Sequence, residues 1–398
     1  MADNRDLQAS QFIIGLLDRS KQRSDEILDG LPGLFAVLNE KCLIARGNDN
    51  LAEILGCSGE ELLWKDFRSV LGTEDGEKLT KTVGLILDGR QTSPTKLELA
   101  VEVAGQPPME LSVSLKLVQR SPAPNKSLVL LIAEDVTELK RVTTQKARMQ
   151  GELQTAKAIQ DALLPPFDAD FGMARISGFY TPASECGGDW WHYFVKGTKL
   201  YCCIGDVTGH GVQAALLTSA GRAGMAVIER GATVDLEEAT QLMNEVVVDT
   251  AKGKQWMTFA FLELEMQTGQ CRYISASHEL LGHVRPKAPP EAKQVSWVSV
   301  GPTEILGWQK PSNYKAMSFK IEPGEFLFFY TDGLKEMSAV GKRNSARLLT
   351  SSLKDASERY TDAKAFNRHI EKNLIPPEAR HDLADDVTFY TLQYLGPK

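Results

Sequence analysis

No stretch of this 398-residue chain is apolar for long enough to cross a bilayer. The longest apolar runs, such as Phe12 to Leu17 and Leu128 to Ala133, fall far short of the roughly 20 residues a spanning helix needs. The amino terminus, MADNRDLQAS, lacks the basic start and apolar stretch of a secretory signal, so no membrane partner and a cytoplasmic location are expected. Positive charge is in short supply: 45 Lys and Arg against 52 Asp and Glu leave a formal charge of -7, which argues against nucleic acid as the main partner. The six cysteines, at 42, 57, 186, 202, 203 and 271, show no CxxC spacing, and none is followed six positions later by arginine. A disulfide scaffold, a cysteine metal site and a cysteine-based phosphatase are thereby set aside, and buried reduced thiols are expected. Histidine is missing from the first 191 residues.

What is present is an ordinary globular composition, 42% hydrophobic and 24% charged, in a length suited to two or three domains. Residues 1–27 carry Leu7, Ile13, Ile14 and Leu17 near helical spacing, and Pro32 and Gly33 stop the pattern. From Leu34 the chain changes to short strand-like runs, LFAVLN and CLIARG. Short helical pieces follow around NLAEILG and GEELL, then strands at KLELAVEV, MELSVSLKLV and SLVLLIAEDV. This order, with the wording GNDNLAEILGCSGEELLWKDF and the exit EDVTELKR, resembles the PAS fold, and residues 28–133 are read as a PAS-like sensor. Without a histidine the unit offers no axial ligand for a His-bound haem, and Cys42 and Cys57 lack the setting of a photoactive flavin domain.

Residues 134–165, rich in strong helix formers and closed by Pro165 and Pro166, are expected to form a helical linker. One heptad register places Val142, Met149, Ala156 and Leu163 at one seam position and Leu139, Lys146, Leu153 and Gln160 at the other. A marginal parallel coiled coil, and with it a homodimer, is the expectation.

In residues 166–398, with helices expected over 212–229, 235–250 and 362–373, aspartates stand at the ends of strongly apolar runs. Asp189 follows GG in ECGGDWWHYF, Asp206 ends LYCCIGD, Asp332 ends EFLFFYTD, and Asp385 and Asp386 open DDVTFYTLQYL. Aspartate is a poor strand residue and is costly to bury ionised and unpaired. No Arg or Lys stands obviously beside each, so several converging carboxylates suggest an oxygen-lined site for hard divalent cations, with two-metal hydrolysis as its chemistry. Singly, each has a plainer reading as a turn or a solvated strand end.

Taken together, ELQTAKAIQDALLP, ASECGGDWWHYF, LYCCIGDVTGHGVQAALLTS, YISASHELL, FLFFYTDGLKEM and DDVTFYTLQY resemble the SpoIIE-type (RsbU-like) branch of the PPM, or protein phosphatase 2C-like, family over nearly all of 152–394. The resemblance implies an α+β chain whose C-terminal domain is a two-sheet β sandwich flanked by helices. It further implies hydrolysis of phosphoserine or phosphothreonine with two Mn2+ or Mg2+ ions. Metal-ligand roles then fall on Asp189, Asp206, Asp332 and Asp385, with the Val207 carbonyl as a backbone ligand and Asp386 as a neighbour behind them. The implied substrate is a phosphorylated STAS-domain antagonist of an anti-sigma factor. Three departures from the family wording are His192 after GGDWW, SHEL at 277–280 and the paired Trp190 and Trp191, the last read as core or rim packing. His210 is expected to shape its turn rather than to protonate a leaving oxygen. A catalytically silent module of the same fold is the alternative; a GGDEF-type cyclase is disfavoured because Trp190 stands where an acid is needed and no P-loop is present.

Overall fold

The structure is a computed structural model that describes residues 26–91, 94–103, 107–119, 127–288, 293–336, 342–375 and 383–397. All but the last two residues of the helix expected over 1–27 lie outside that set. The chain divides into two compact units, residues 1–148 and 149–398, so the boundary falls within the linker helix rather than at either of its ends.

The N-terminal unit is built on one antiparallel sheet in the order β2-β1-β5-β4-β3. Its strands are β1 (Leu34–Asn39), β2 (Ile44–Gly47), β3 (Thr95–Val101), β4 (Met109–Gln119) and β5 (Leu128–Asp135). Alternate residues, Leu34, Ala36 and Leu38 on β1 and Val129, Leu131 and Ala133 on β5, point to one buried face. Helices Asp49–Ile54, Gly59–Leu62 and Thr73–Leu87 bring Leu51, Leu62, Leu79 and Val83 into the same core. The buried side chain of Asn48 fixes the entrance: its Oδ1 accepts from Leu51 N (3.2 Å) and Phe35 N (3.1 Å), capping the helix and tying it to β1. The 15-residue helix Thr73–Leu87 is longer than the short pieces expected from sequence.

The C-terminal unit is a sandwich of two antiparallel sheets, β14-β11-β10-β9-β8 and β13-β12-β15-β16-β7-β6. The first sheet holds β8 (Asp189–Lys196), β9 (Lys199–Val207), β10 (Met257–Glu265), β11 (Gln270–Ala276) and β14 (Met317–Lys320). The second holds β6 (Asp168–Asp170), β7 (Ala174–Thr181), β12 (Leu281–Val284), β13 (Val295–Val298), β15 (Phe326–Tyr330) and β16 (Val387–Tyr394). Between the sheets lie Ile176, Trp191, Cys202, Ile204, Leu262, Phe329 and Tyr390. Helices Val212–Arg230 and Leu236–Ala251 cover the outer face of the first sheet, where Trp190, Tyr201, Phe259 and Phe261 meet Leu217, Met225, Met243 and Val247. Helices Lys342–Arg359 and Ala363–Leu374 cover the second, with Phe326, Phe328 and Phe389 against Leu353, Phe366 and Ile370. Because the central strands are covered on both faces, runs such as LYCCI and FLFFY are apolar without alternation. Five of the six cysteines are buried, Cys57 is partly so, and all are free thiols.

Candidate active site

Antiparallel pairing sets the start of one strand beside the end of its neighbour, and the aspartates exploit this. Asp189 opens β8 directly opposite Asp206 near the end of β9. In the other sheet, Thr331 and Asp332 follow β15 while Asp385 and Asp386 precede its partner β16. A cross-link joins the two pairs: the Thr331 hydroxyl donates to Asp189 Oδ2 (2.7 Å), and the Thr388 amide donates to Thr331 Oγ1 (3.0 Å).

The electrostatics report the same convergence. Burial, then the Asp206 and Asp386 charges, raises the Asp189 carboxyl well above its ordinary range. Asp206 is pushed up to about 8 by burial and by Asp332, Asp385 and Asp386. Asp332 is raised by burial and by Asp385. Among the described residues no three His, Cys, Asp or Glu side chains stand close enough to form a finished ion cage. The fold offers an open cluster of hard oxygen donors whose charges oppose one another, which a divalent cation would relieve.

Asp386 has a different occupation. It is buried, and its two oxygens accept from the Ala183 amide (2.7 Å) and the Gly188 amide, holding the 183–188 loop against β16. Gly188 is required by space: a Cβ there would lie 2.9 Å from the Val207 carbonyl oxygen and 3.2 Å from that of Gly209. The backbone before Asp189 thus packs directly on the turn after Asp206, and the Val207 amide donates to Gly188 O (3.1 Å).

Its heptad position puts Gln160 at a coiled-coil seam, and the structure corrects this. Its side chain is buried against the C-terminal unit, with Nε2 donating to Gly187 O (2.6 Å) and Thr218 Oγ1 (3.2 Å) and Oε1 accepting from Gly187 N (3.0 Å). A primary amide matches a peptide group donor for acceptor, so the end of helix Thr137–Leu163 grips the loop that leads into Asp189. The stretch ELQTAKAIQDALLP carried the signal, which the apolar heptad reading obscured.

The departures from the family wording lie away from the carboxylates or behind them. His192 is buried on β8 with Nε2 3.2 Å from Glu229 Oε2. His278 Nδ1 is 2.7 Å from Thr258 Oγ1, and burial lowers its ring to about 3, keeping it neutral. Glu279 bonds Lys335, one turn beyond Asp332, and accepts from the Tyr330 hydroxyl (3.2 Å). His210 is exposed on the turn before helix Val212–Arg230. Trp190 and Trp191 are core residues, stacked on Phe259 and Tyr390 at 6.0 and 4.9 Å.

The family model described as Stage II sporulation protein E (SpoIIE) matches residues 196–395, which include Asp206, Asp332 and Asp385 and begin at the last residue of β8. Phosphoserine phosphatase RsbU of Bacillus subtilis is 24% identical over 193 residues, covering 47% of this chain and 54% of RsbU. Protein IcfG of Synechocystis is 26% identical over 219 residues, covering 48% of this chain and 33% of IcfG. The chain therefore spans about half or less of the length of these relatives. The SiaA-PP2C domain of Pseudomonas aeruginosa shares the fold, with a TM-score of 0.52 at 20% identity over 63% of this chain and 98% of that domain. With half of its length matched, and the carboxylates gathered at one end of a PP2C-type sandwich, the chain belongs to the SpoIIE family.

Proposed function

We propose that the protein is a metal-dependent serine/threonine phosphatase acting on a phosphoprotein, with residues 28–133 as its PAS-like regulatory unit. The observation that carries this reading is the gathering of Asp189, Asp206, Asp332 and Asp385 where burial and mutual repulsion favour a cation. Two Mn2+ or Mg2+ ions, when bound, supply an activated water and neutralise phosphoryl charge. Asp189, Asp206, Asp332, Asp385 and the Val207 carbonyl are the groups that hold them in this reading. Thr331 orients Asp189 by its hydrogen bond, Asp386 anchors the 183–188 loop through backbone amides, and Gln160 fixes the Gly187 peptide. The N-terminal strand order 2-1-5-4-3, with helices inserted between β2 and β3, supports the PAS assignment.

The description of RsbU as a phosphoserine phosphatase supports the choice of substrate class. We place a phosphorylated STAS-domain protein first among substrates, a homodimer through the linker helix as the assembly, and the cytoplasm as the location. Incubation of the purified chain and Mn2+ with phosphorylated STAS-domain proteins tests the substrate: phosphate release from one of them is expected, and release only from unrelated phosphoproteins would overturn that assignment.

A further inference from the structure

Trp308 is 63% exposed, yet the backbone on both sides of it is tied down. Asn244, fully buried on helix Leu236–Ala251, accepts from Gly307 N (2.8 Å) and donates to Gln309 O (2.7 Å), clamping the chain on both sides of the tryptophan. Gly307 has φ +92°, and a Cβ there would lie 2.6 Å from Val247 Cγ1, so the loop lies tight on the helix. Leu306 and Met257 exchange amide–carbonyl bonds, both 3.0 Å, which sets Trp308 beside Trp256 with ring centroids 6.1 Å apart.

Trp256 connects this pair to the carboxylates. Its carbonyl accepts from the Thr208 amide (2.9 Å), and its amide donates to Thr208 Oγ1 (3.0 Å), two residues beyond Asp206. Lys252 and Lys254, both exposed, precede it in the turn after helix Leu236–Ala251, and Lys310 follows Trp308 paired with Asp249 at 2.7 Å. The clamp holds the backbone on both sides of an indole that packs on Trp256 and leaves most of its surface to solvent. Tryptophan is enriched among the residues that anchor protein contacts, and one on a preorganised backbone loses little freedom on binding.

Resting on the phosphatase reading above, we propose that Trp256 and Trp308, flanked by Lys252 and Lys254, form the docking shelf for the phosphoprotein substrate. The matching partner segment carries an apolar side chain and acidic residues close to its phosphoserine. The shelf adjoins the Asp206 turn, so a partner seated on it presents its phosphate to the carboxylate end, and the lysines complement its acidic residues.

The test uses the full chain with Mn2+ and two fluorescein-labelled phosphoserine peptides, both acidic, one with a phenylalanine and the other with a serine a few residues from the phosphoserine. Fluorescence anisotropy reads binding without requiring turnover, and hydrolysis of p-nitrophenyl phosphate reads the catalytic centre separately. The wild type should favour the phenylalanine peptide, and Trp308→Ala should weaken that peptide at least about tenfold while changing the serine peptide by less than about twofold. Hydrolysis of p-nitrophenyl phosphate by Trp308→Ala should stay within about twofold of wild type. Lys254→Glu should weaken both acidic peptides, increasingly so at low salt. Equal binding of the two peptides by the wild type, or a preference that survives in Trp308→Ala, overturns the shelf. So does Trp308→Ala abolishing self-association while leaving peptide preference intact, since the indole would then serve a contact between copies. Peptide preference without any p-nitrophenyl phosphate hydrolysis refutes the phosphatase reading and leaves the shelf standing.

Discussion

Asp206 faces Asp189 across one strand pair and feels Asp332, Asp385 and Asp386 besides burial, so its folded carboxyl titrates near 8 against about 3.9 in an unfolded chain. A carboxyl raised in the fold contributes stability that is complete below its unfolded value and is lost as pH rises through its folded value. Without metal, thermal stability should therefore decline between about pH 4 and 8, and the increase in Tm on adding Mn2+ should grow over the same interval as the ligands ionise. Asp206→Asn should flatten the metal-free profile, remove the Mn2+ response, and lower phosphatase activity at least about a hundredfold in a folded protein. A variant that keeps the Mn2+ shift in Tm would exclude Asp206 from the site. His278 has the opposite sign: its ring is depressed to about 3, so the unfolded chain takes up the proton first and stability falls as pH drops from about 6.5 toward 3. Replacement by Gln should shallow that acid limb in a pH series of melting curves, and an unchanged slope would show that the ring titrates freely.

Helix Thr137–Leu163 changes character along its length. Leu139, Val142 and Met149 are 67%, 49% and 65% exposed, whereas Gln160 is buried on Gly187. The seam open to a second copy therefore excludes Gln160, and exposed Lys146 interrupts it. Lys146→Leu should raise self-association by about tenfold in sedimentation velocity, and no change would remove the linker as a dimer contact. Gln160→Ala leaves the buried Gly187 peptide without its partners, a loss of about 1–3 kcal/mol, and should reduce activity while sparing the fold. Full activity in that variant would reduce the grip to a packing detail. The central strands of the sandwich were legible because coverage on both faces writes itself as unbroken apolar runs. Helices Thr73–Leu87 and Lys342–Arg359 were not: the first contains Gly76, Gly84 and three threonines, and the second has few apolar residues beyond Leu348, Leu349 and Leu353. Gln160 was misread because a polar residue in a heptad looks the same whether it faces a sister helix or grips a loop.

At the scale of the whole molecule, an N-terminal unit built on one five-stranded sheet and a sandwich with a carboxylate-lined end are joined through a helix whose last turns hold the loop before Asp189. The pieces of the carboxylate cluster were visible in sequence as strand-end aspartates, since an acid at either end of a strongly apolar run is hard to explain by packing alone. Their convergence depends on two different sheets meeting at one end, with Asp189 on β8 and Asp385, 196 residues later, just before β16, and on the bond from Thr331, which no local pattern announces. Phosphate release from an acidic phosphoserine peptide by the full chain, compared with Mn2+, with Mn2+ and excess chelator, and in Asp206→Asn with Mn2+, tests the central claim most directly. The account predicts release in the first condition alone; release that persists with chelator or in Asp206→Asn, or none from the wild type at saturating Mn2+, would contradict it.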